Sequence, residues 1–204
     1  MQSLASLIRL SLRNYMRVKN KMPSINICLV HYPVKNQNNQ IITTSITNLD
    51  VHDLARLSTT YGLDCFYIVQ PLNRQKELFQ ELIDYWKKGV GANYNLHRAR
   101  AFHKVTIVAS IEECLQDIGL DKEPIVIATG ANIQGNIGYC QLRELAKTRN
   151  ILLLFGTGWG LADSLIDKAH YQLAPIAGVD GYNHLSVRSA ASIIIDRLCS
   201  KKWW

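Results

Sequence analysis

Acidic residues are missing from two long parts of this chain. None occurs before Asp50, although Arg9, Arg13, Arg17, Lys19, Lys21 and Lys35 lie in that stretch. None occurs between Tyr85 and Lys104 either, where Lys87, Lys88, Arg98, Arg100 and Lys104 fall. Setting those eleven cations aside leaves twelve Lys and Arg against sixteen Asp and Glu, so the net charge of +7 conceals an acidic remainder. Charge segregated in this way points to a polyanion meeting the basic parts.

Other absences narrow the class. No apolar run approaches the ~18 residues a membrane helix needs, so no membrane partner is expected. Five cysteines stand singly at Cys28, Cys65, Cys114, Cys140 and Cys199, with no C-x-x-C and no histidine at ligand spacing. An odd, scattered set fits reduced thiols in an intracellular protein and gives no reason to expect a metal. There is no internal repeat and no low-complexity tract. Residues 1–24 lack the continuous apolar core of a secretory signal. Leu4, Leu7, Ile8 and Leu12 instead fall at helical spacing among arginines and serines. Such a segment reads as an organelle transit peptide, a basic RNA-binding arm, or a start site placed too early. We therefore divide the chain into a basic amphipathic extension, 1–24, and a single domain, 25–204.

What is present is alternation of strand and helix. Apolar runs at Ile25–His31, Asp64–Val69, Val105–Ala109, Pro124–Thr129 and Ile151–Phe155 read as strands covered on both faces. Between them, Asp50–Tyr61, Arg74–Lys88 and Ile137–Arg149 read as helices. Asn48 or Asp50 is the expected N-cap of the first, with Gly62 at its stop. Ser110-Ile-Glu-Glu113 forms a capping box for a shorter helix. Residues 32–40 read as a polar loop. The alternation specifies a parallel, doubly wound α/β sheet with a Rossmann-like three-layer build.

Ligands in such sheets gather beyond the carboxyl ends of strands. Three bends are expected there. They are Thr129-Gly130, Phe155-Gly156-Thr-Gly158-Trp159-Gly160-Leu161, and a segment from Ile176 and Gly178 through Asp180, Asn183 and His184 to Leu185 and Ser186. Alternating glycines let backbone approach a ligand with no side chain between. Gly156-x-Gly158 lacks the third glycine of the dinucleotide fingerprint and follows the fifth strand, not the first, which argues against a nicotinamide site. The run Tyr85–Lys104 interleaves aromatics with cations, a composition suited to stacking on bases while neutralising phosphates. The alternative is a helix end and solvated loop, with Trp86 and Tyr94 packed on the core. The last helix, 183–199, carries Val187, Ala190, Ala191, Ile194 and Leu198 on one stripe and Ile193 and Ile195 on a second. That surplus of apolar surface suggests a partner.

Leu152–Leu161 and Ile176–Arg188 together resemble motifs 2 and 3 of the SPOUT RNA methyltransferases. In these an apolar strand ends in a Gly-rich turn, and a Pro/Ile-x-Gly turn leads to a Ser-Val-rich helix start. Asn48–Gly62 resembles motif 1, with Arg56 at the Arg position and Tyr61-Gly62 at the aromatic-Gly end. Asp50 and His52 depart from the Asn and Gly of that pattern, and Trp159 stands where several groups carry Glu. The likeness is to the small stand-alone bacterial-type family, which also occurs appended to tRNA guanine-N1 methyltransferases.

The resemblance implies a C-terminal trefoil knot and S-adenosylmethionine as cofactor, held by Thr129, Gly130, Phe155, Gly156, Gly158, Trp159, Gly160, Leu161, Ile176, Gly178, Leu185 and Ser186. It also implies methylation of RNA (tRNA or rRNA) by a homodimer. Arg56, Asp180 and His184 are the candidate catalytic groups, and Lys87, Lys88, Arg98, Arg100 and Lys104 the candidate RNA contacts. A noncatalytic RNA-binding homodimer retaining the adenosyl pocket is the alternative. The expected place is the cytoplasm, or an organelle if residues 1–24 act as a transit peptide.

Overall fold

A computed structural model describes residues 23–119 and 123–201. The leader reading of residues 1–24 therefore falls almost wholly outside the described residues. In chain order the elements are β1 (Ile25–Val30), β2 (Val34–Lys35), β3 (Ile41–Ile42), α1 (Asn48–Thr60), β4 (Cys65–Val69), α2 (Asn73–Lys87), α3 (Val90–Tyr94) and α4 (Leu96–Phe102). There follow β5 (Val105–Val108), α5 (Ile111–Ile118), β6 (Ile125–Ala128), α6 (Tyr139–Thr148), β7 (Ile151–Gly156), α7 (Asp163–Lys168), β8 (Tyr171–Gln172) and α8 (Val187–Cys199).

Six strands form one sheet in the order β5-β4-β1-β7-β6-β8, and every neighbouring pair is parallel. Successive side chains go to opposite faces, because the strand period is two. Ile27, Leu29, Phe66, Ile68, Ile127, Leu153 and Phe155 enter one core with residues of α1, α2, α4, α6 and α8. Cys28, Val30, Tyr67, Val69, Val126, Leu152 and Leu154 enter the other with Ile111, Cys114 and Ile118 of α5, against which Leu165 and Ile166 of α7 also pack. Both faces are covered, which is why each strand reads as an unbroken apolar run.

Four local expectations are corrected. The N-cap of α1 is Thr47, neither Asn48 nor Asp50. Its hydroxyl oxygen accepts the Asp50 N–H (3.2 Å), while the hydroxyl donates to the Asp50 carboxylate (2.6 Å). The polar stretch 32–40 is not wholly loop, since it contributes to a β2–β3 hairpin closed around Asn36, whose side chain accepts from the N–H groups of Asn38 and Gln40. The basic run 85–104 holds two short helices, α3 and α4, the second capped by Asn95. Finally, α8 starts at Val187, with Ser186 accepting the Ser189 N–H (3.2 Å), so residues 183–186 lie outside the helix. In α8, Ala191, Ile194, Ile195 and Leu198 are all buried, so core packing absorbs most of the apolar surplus.

The loop leaving β6 is stitched to the end of β8. The N–H groups of Asn136 and Ile137 donate to the Gln172 carbonyl, and the Ala174 N–H donates to Ile137 (2.9 Å). Gly135 makes this possible. It sits at φ +64°, and a Cβ there would lie 2.6 Å from the Ala174 Cα. Gly135→Ala should therefore cost about 2 kcal/mol, from left-handed backbone strain plus a backbone contact that cannot yield. At roughly 2–4 °C per kcal/mol for a chain of this size, the thermal midpoint should fall by about 4–8 °C. An unchanged midpoint in scanning calorimetry would show that the seam adapts.

Candidate functional site

β1 leads outward through β4 to β5 on one side, whereas β7, β6 and β8 occupy the other. The strand order therefore reverses between β1 and β7, the place beyond the carboxyl ends where ligands bind in such sheets. Because β7, β6 and β8 are parallel neighbours, the segments that follow them must lie side by side. Those segments are the three bends singled out in the sequence.

The first bend turns sharply at Gly156, which registers with Val30 and has no room for a Cβ, the Leu161 nitrogen being 2.5 Å from where one would stand. It is then fastened to the β2 hairpin. The Trp159 N–H donates to the Lys35 carbonyl, the Lys35 N–H donates to Gly160 (both 2.9 Å), and Leu161 bridges Val34. Gly158 (φ +59°) faces this hairpin, where a Cβ would stand 2.9 Å from the Lys35 carbonyl oxygen. Gly160 (φ +105°) faces open space. The ring of Phe155 and the side chain of Leu161 are buried, so only their backbone can meet a ligand, while Trp159 is 62% exposed.

The other two bends meet directly. Thr129 closes β6 by donating both its N–H (3.1 Å) and its hydroxyl (2.8 Å) to the Leu154 carbonyl, and Gly130 follows at once. Asn183 donates its side-chain N–H to the Ala131 carbonyl (3.3 Å). Gly178 is confined, because a Cβ there would overlap the Tyr182 carbonyl. Asp180 (φ +54°) and His184 are exposed on this bend, with the His184 ring edge-on to Tyr182 at 5.3 Å. Ile176 packs on the core, and Leu185 is 45% exposed. Arg188, just beyond, reaches Asp50 (3.4 Å) and Asp53 (3.5 Å) of α1. Asp50, held by both Thr47 and Arg188, has its carboxylate committed to structure.

Arg56 is placed elsewhere. It lies on the exposed side of α1 and lines a hollow with Arg98 and Arg100 of α4, and no residue of the 176–186 bend lines that hollow. His52, which replaces the glycine of the motif, packs its ring against Phe102 (4.7 Å) and Trp86 (5.6 Å). Of the expected RNA contacts, Lys87 donates to the Val105 carbonyl (2.8 Å) and Lys88 pairs with Asp84 (3.4 Å). Lys104 is half-buried.

Sequence reasoning missed a buried polar chain beneath the first bend. Thr157 donates its hydroxyl to the Val30 carbonyl (3.0 Å), so its oxygen can only accept from Thr44 (2.5 Å). The Thr44 proton is then spent, and its oxygen accepts from His31 Nδ1–H (2.9 Å). This direction fixes the tautomer: Nδ1 carries the proton and Nε2 is a lone pair, buried without a partner. Burial pulls the His31 pKa down to about 4. No periodicity marks these residues, because the chain joins positions 31, 44 and 157.

Solved structures of the same fold define the class. A probable methyltransferase from Bordetella pertussis superposes with a TM-score of 0.58 over 86% of this chain and 92% of its own, at 14% identity. The SpoU methyltransferase AviRb from Streptomyces viridochromogenes, crystallised with AdoMet, gives 0.54 over 92% of this chain and 61% of its own, at 11% identity. At such identities the likeness establishes the fold, that of the SPOUT-type α/β methyltransferases. The model of the SAM-dependent RNA methyltransferase family matches residues 24–200, and the chain belongs to that family. A tRNA (guanine-N(1)-)-methyltransferase of Oleidesulfovibrio alaskensis is 43% identical over 83% of this chain. The match takes up only 40% of that relative's length. An uncharacterized protein of Aquifex aeolicus is 37% identical over 87% of this chain and 89% of its own.

The histidine gives a pH dependence. Its folded pKa lies below the ordinary 6.5, so the unfolded chain binds the extra proton first as pH falls. The stability contributed by neutral His31 is complete above pH 6.5 and is lost as pH falls towards about 4. The loss is at most about 3 kcal/mol across that window. Urea midpoints of the wild type should fall there more steeply than those of His31→Asn, and parallel curves would show that the imidazole does not report on folding.

Proposed function

We propose that this chain transfers a methyl group from S-adenosylmethionine to a nucleotide of RNA, at the crevice formed by the three bends. The observation that supports this most is the coincidence of the family match with three adjacent, backbone-rich loops at the switch point. The residues fit the cofactor: Gly160 offers bare backbone at positive φ beside open space, and Gly130 follows the anchored end of β6 in the neighbouring bend. Backbone of Thr129-Gly130, Phe155–Leu161 and Ile176–Ser186 would hold the adenosyl group. When bound, S-adenosylmethionine supplies an electrophilic methyl on a sulfonium.

The chain's own part is positioning. In-line displacement gains most from two reactants held in line, and the anchoring of Trp159 and Gly160 on Lys35 and of Asn183 on Ala131 fixes the walls. Where the accepting atom must lose a proton, Asp180 or His184 is the group exposed on the same bend to take it. tRNA is the RNA favoured by the names of the relatives. The chain spans about two-fifths of their length, so the guanine-N1 position is not carried over with it.

We further propose threading of the segment 173–186 into the knot, in keeping with β8 at the sheet edge while α8 packs back beside α1 and α6. A homodimer fits the exposed Trp159, Val179, Tyr182 and Leu185 around the crevice. Residues 25–204 act as one domain in this reading. The bacterial relatives favour action in the cytoplasm.

Incubation with S-adenosylmethionine labelled in its methyl group and total bacterial RNA should place label in RNA, with the modified nucleoside identified by mass spectrometry. Binding of S-adenosylmethionine without incorporation into any RNA would overturn turnover. Gly160→Ala should weaken cofactor binding by tenfold or more. Gly158→Ala, whose Cβ meets the Lys35 carbonyl, should act mainly on thermal stability. Equal cofactor affinity in Gly160→Ala and the wild type, measured by calorimetry, would remove that bend from the site.

A further inference from the structure

α1 and α4 pack side by side, and their outward faces enclose a hollow of about 490 Å³. Arg56, Thr59 and Thr60 line it from α1, with His97, Arg98 and Arg100 from α4. No carboxylate lines it. Among the described residues neither Arg56 nor Arg100 has an ion-pair partner. Three guanidiniums gathered around one hollow repel one another, and an anion seated between them would remove that cost. Thr59 and Thr60 donate their hydroxyls to the Ala55 and Arg56 carbonyls, so the charged donors that face a ligand are the guanidiniums, with the His97 ring and the Asn95 amide beside them. Guanidinium forks match phosphate oxygens in pairs.

The hollow is also prearranged. Arg98 lies over the Trp86 ring at 4.4 Å, and its N–H is capped by the Asn95 side chain (2.9 Å), which fixes the first turn of α4. Trp86 in turn packs edge-on to His52. The His52 pKa is lowered first by burial and then by the charge of Arg98, with Asp53 opposing and Arg56 adding to the fall. One residue before Asn95, Tyr94 stands 84% exposed. Gly91 seats α3 on the rings of Tyr85 and Trp86, since a Cβ there would lie 2.5 Å from Tyr85 Cε1. Tyr94 thus offers an exposed ring one residue from Asn95, which lines the hollow.

We propose that this hollow seats a backbone phosphate of single-stranded RNA, with an adjacent base stacked on Tyr94. The grip comes from two helices remote in sequence, and it differs in membership from the basic run alone. Arg56 joins it, while Lys87 is tied to β5 and Lys88 to Asp84. A splayed single strand suits the surface, because an exposed ring beside a phosphate seat needs an unstacked base. The inference rests on the methyl-transfer reading above, for which it names the surface that holds the substrate.

The test uses the full chain and a labelled tRNA, with binding followed by fluorescence anisotropy between 50 and 200 mM salt (roughly the range over which phosphate contacts reveal themselves). Arg56→Ala combined with Arg100→Ala should weaken binding about tenfold or more at 100 mM salt. It should also reduce the slope of log K against log salt by about 0.7, the share of the one phosphate seated there. Affinity for S-adenosylmethionine, measured by calorimetry, should not change. Tyr94→Ala should weaken RNA binding roughly 5- to 140-fold with the slope retained. Lys147→Ala, on α6 and paired with Glu144, should leave both quantities unaltered.

Wild-type slope and affinity in the double arginine variant would overturn the hollow as the seat while leaving the methyl-transfer reading intact. An equal loss in Lys147→Ala would overturn it as well, since binding would then be diffuse. A wild-type chain that neither binds nor methylates RNA would overturn both readings together.

Discussion

The pairing of β1 with β7 governs this molecule. Residues 25–30 register one for one with 151–156, so the last position of β7 is set beside Val30 at the reversal point of the sheet. Everything near the crevice is fixed relative to that pair. Thr157 turns back to donate to Val30, the loop beyond it is clamped by the hairpin that leaves β1, and His31 is shut beneath both. Strands flanked by helices on both faces have no freedom to slip, because a shift of one residue would move every core side chain to the opposite layer. The crevice thus inherits its rigidity from the core.

Much of this was legible in the sequence, and the reason is burial. A strand covered on both faces must be apolar at every position, so Ile151–Phe155 and Cys65–Val69 announce themselves without an alternating pattern to decode. Helix ends marked by chemistry were also readable: Ser110 caps α5, and Gly62 takes φ +68° after α1. Thr47 was passed over because Asn48 and Asp50 are equally good capping types, and only the backbone conformation chooses among them. The β2–β3 hairpin stayed hidden because its strands have two residues each, too few for any period to show.

The site was legible in part for a different reason. The three bends could be found because glycines cluster where backbone must approach closely, and the strand order makes them neighbours. What each glycine faces could not be read: Gly158 and Gly160 look alike in sequence, yet one abuts the Lys35 carbonyl and the other faces open space. Nor could the basic run be sorted. Composition grouped Lys87 with Arg98, whereas the fold ties the first to a backbone carbonyl and stacks the second on Trp86. Contacts between residues far apart in the chain, such as His31 to Thr44 to Thr157, carry no local signature at all.

α1 connects the two surfaces on which the functional reading depends. Asp50 and Asp53 at its start hold Arg188, at the head of α8 and the end of the third bend. Arg56, about 9 Å further along the axis from Asp50 at 1.5 Å per residue, faces the hollow shared with α4. A helix is stiff over that length, so the bend beside the crevice and the cationic hollow are held at a set separation. That matters for a reaction in which the protein's contribution is geometric. A methyl donor on the bend that Arg188 ties to one end of the helix, and a nucleic-acid backbone near the other end, would be spaced by the helix itself. His52 fits this account, since its ring packs into Phe102 and Trp86 and locks α1 to the helices that carry the cations. A glycine at that position would remove the ring that packs on Phe102 and Trp86 and leave α1 looser against α4.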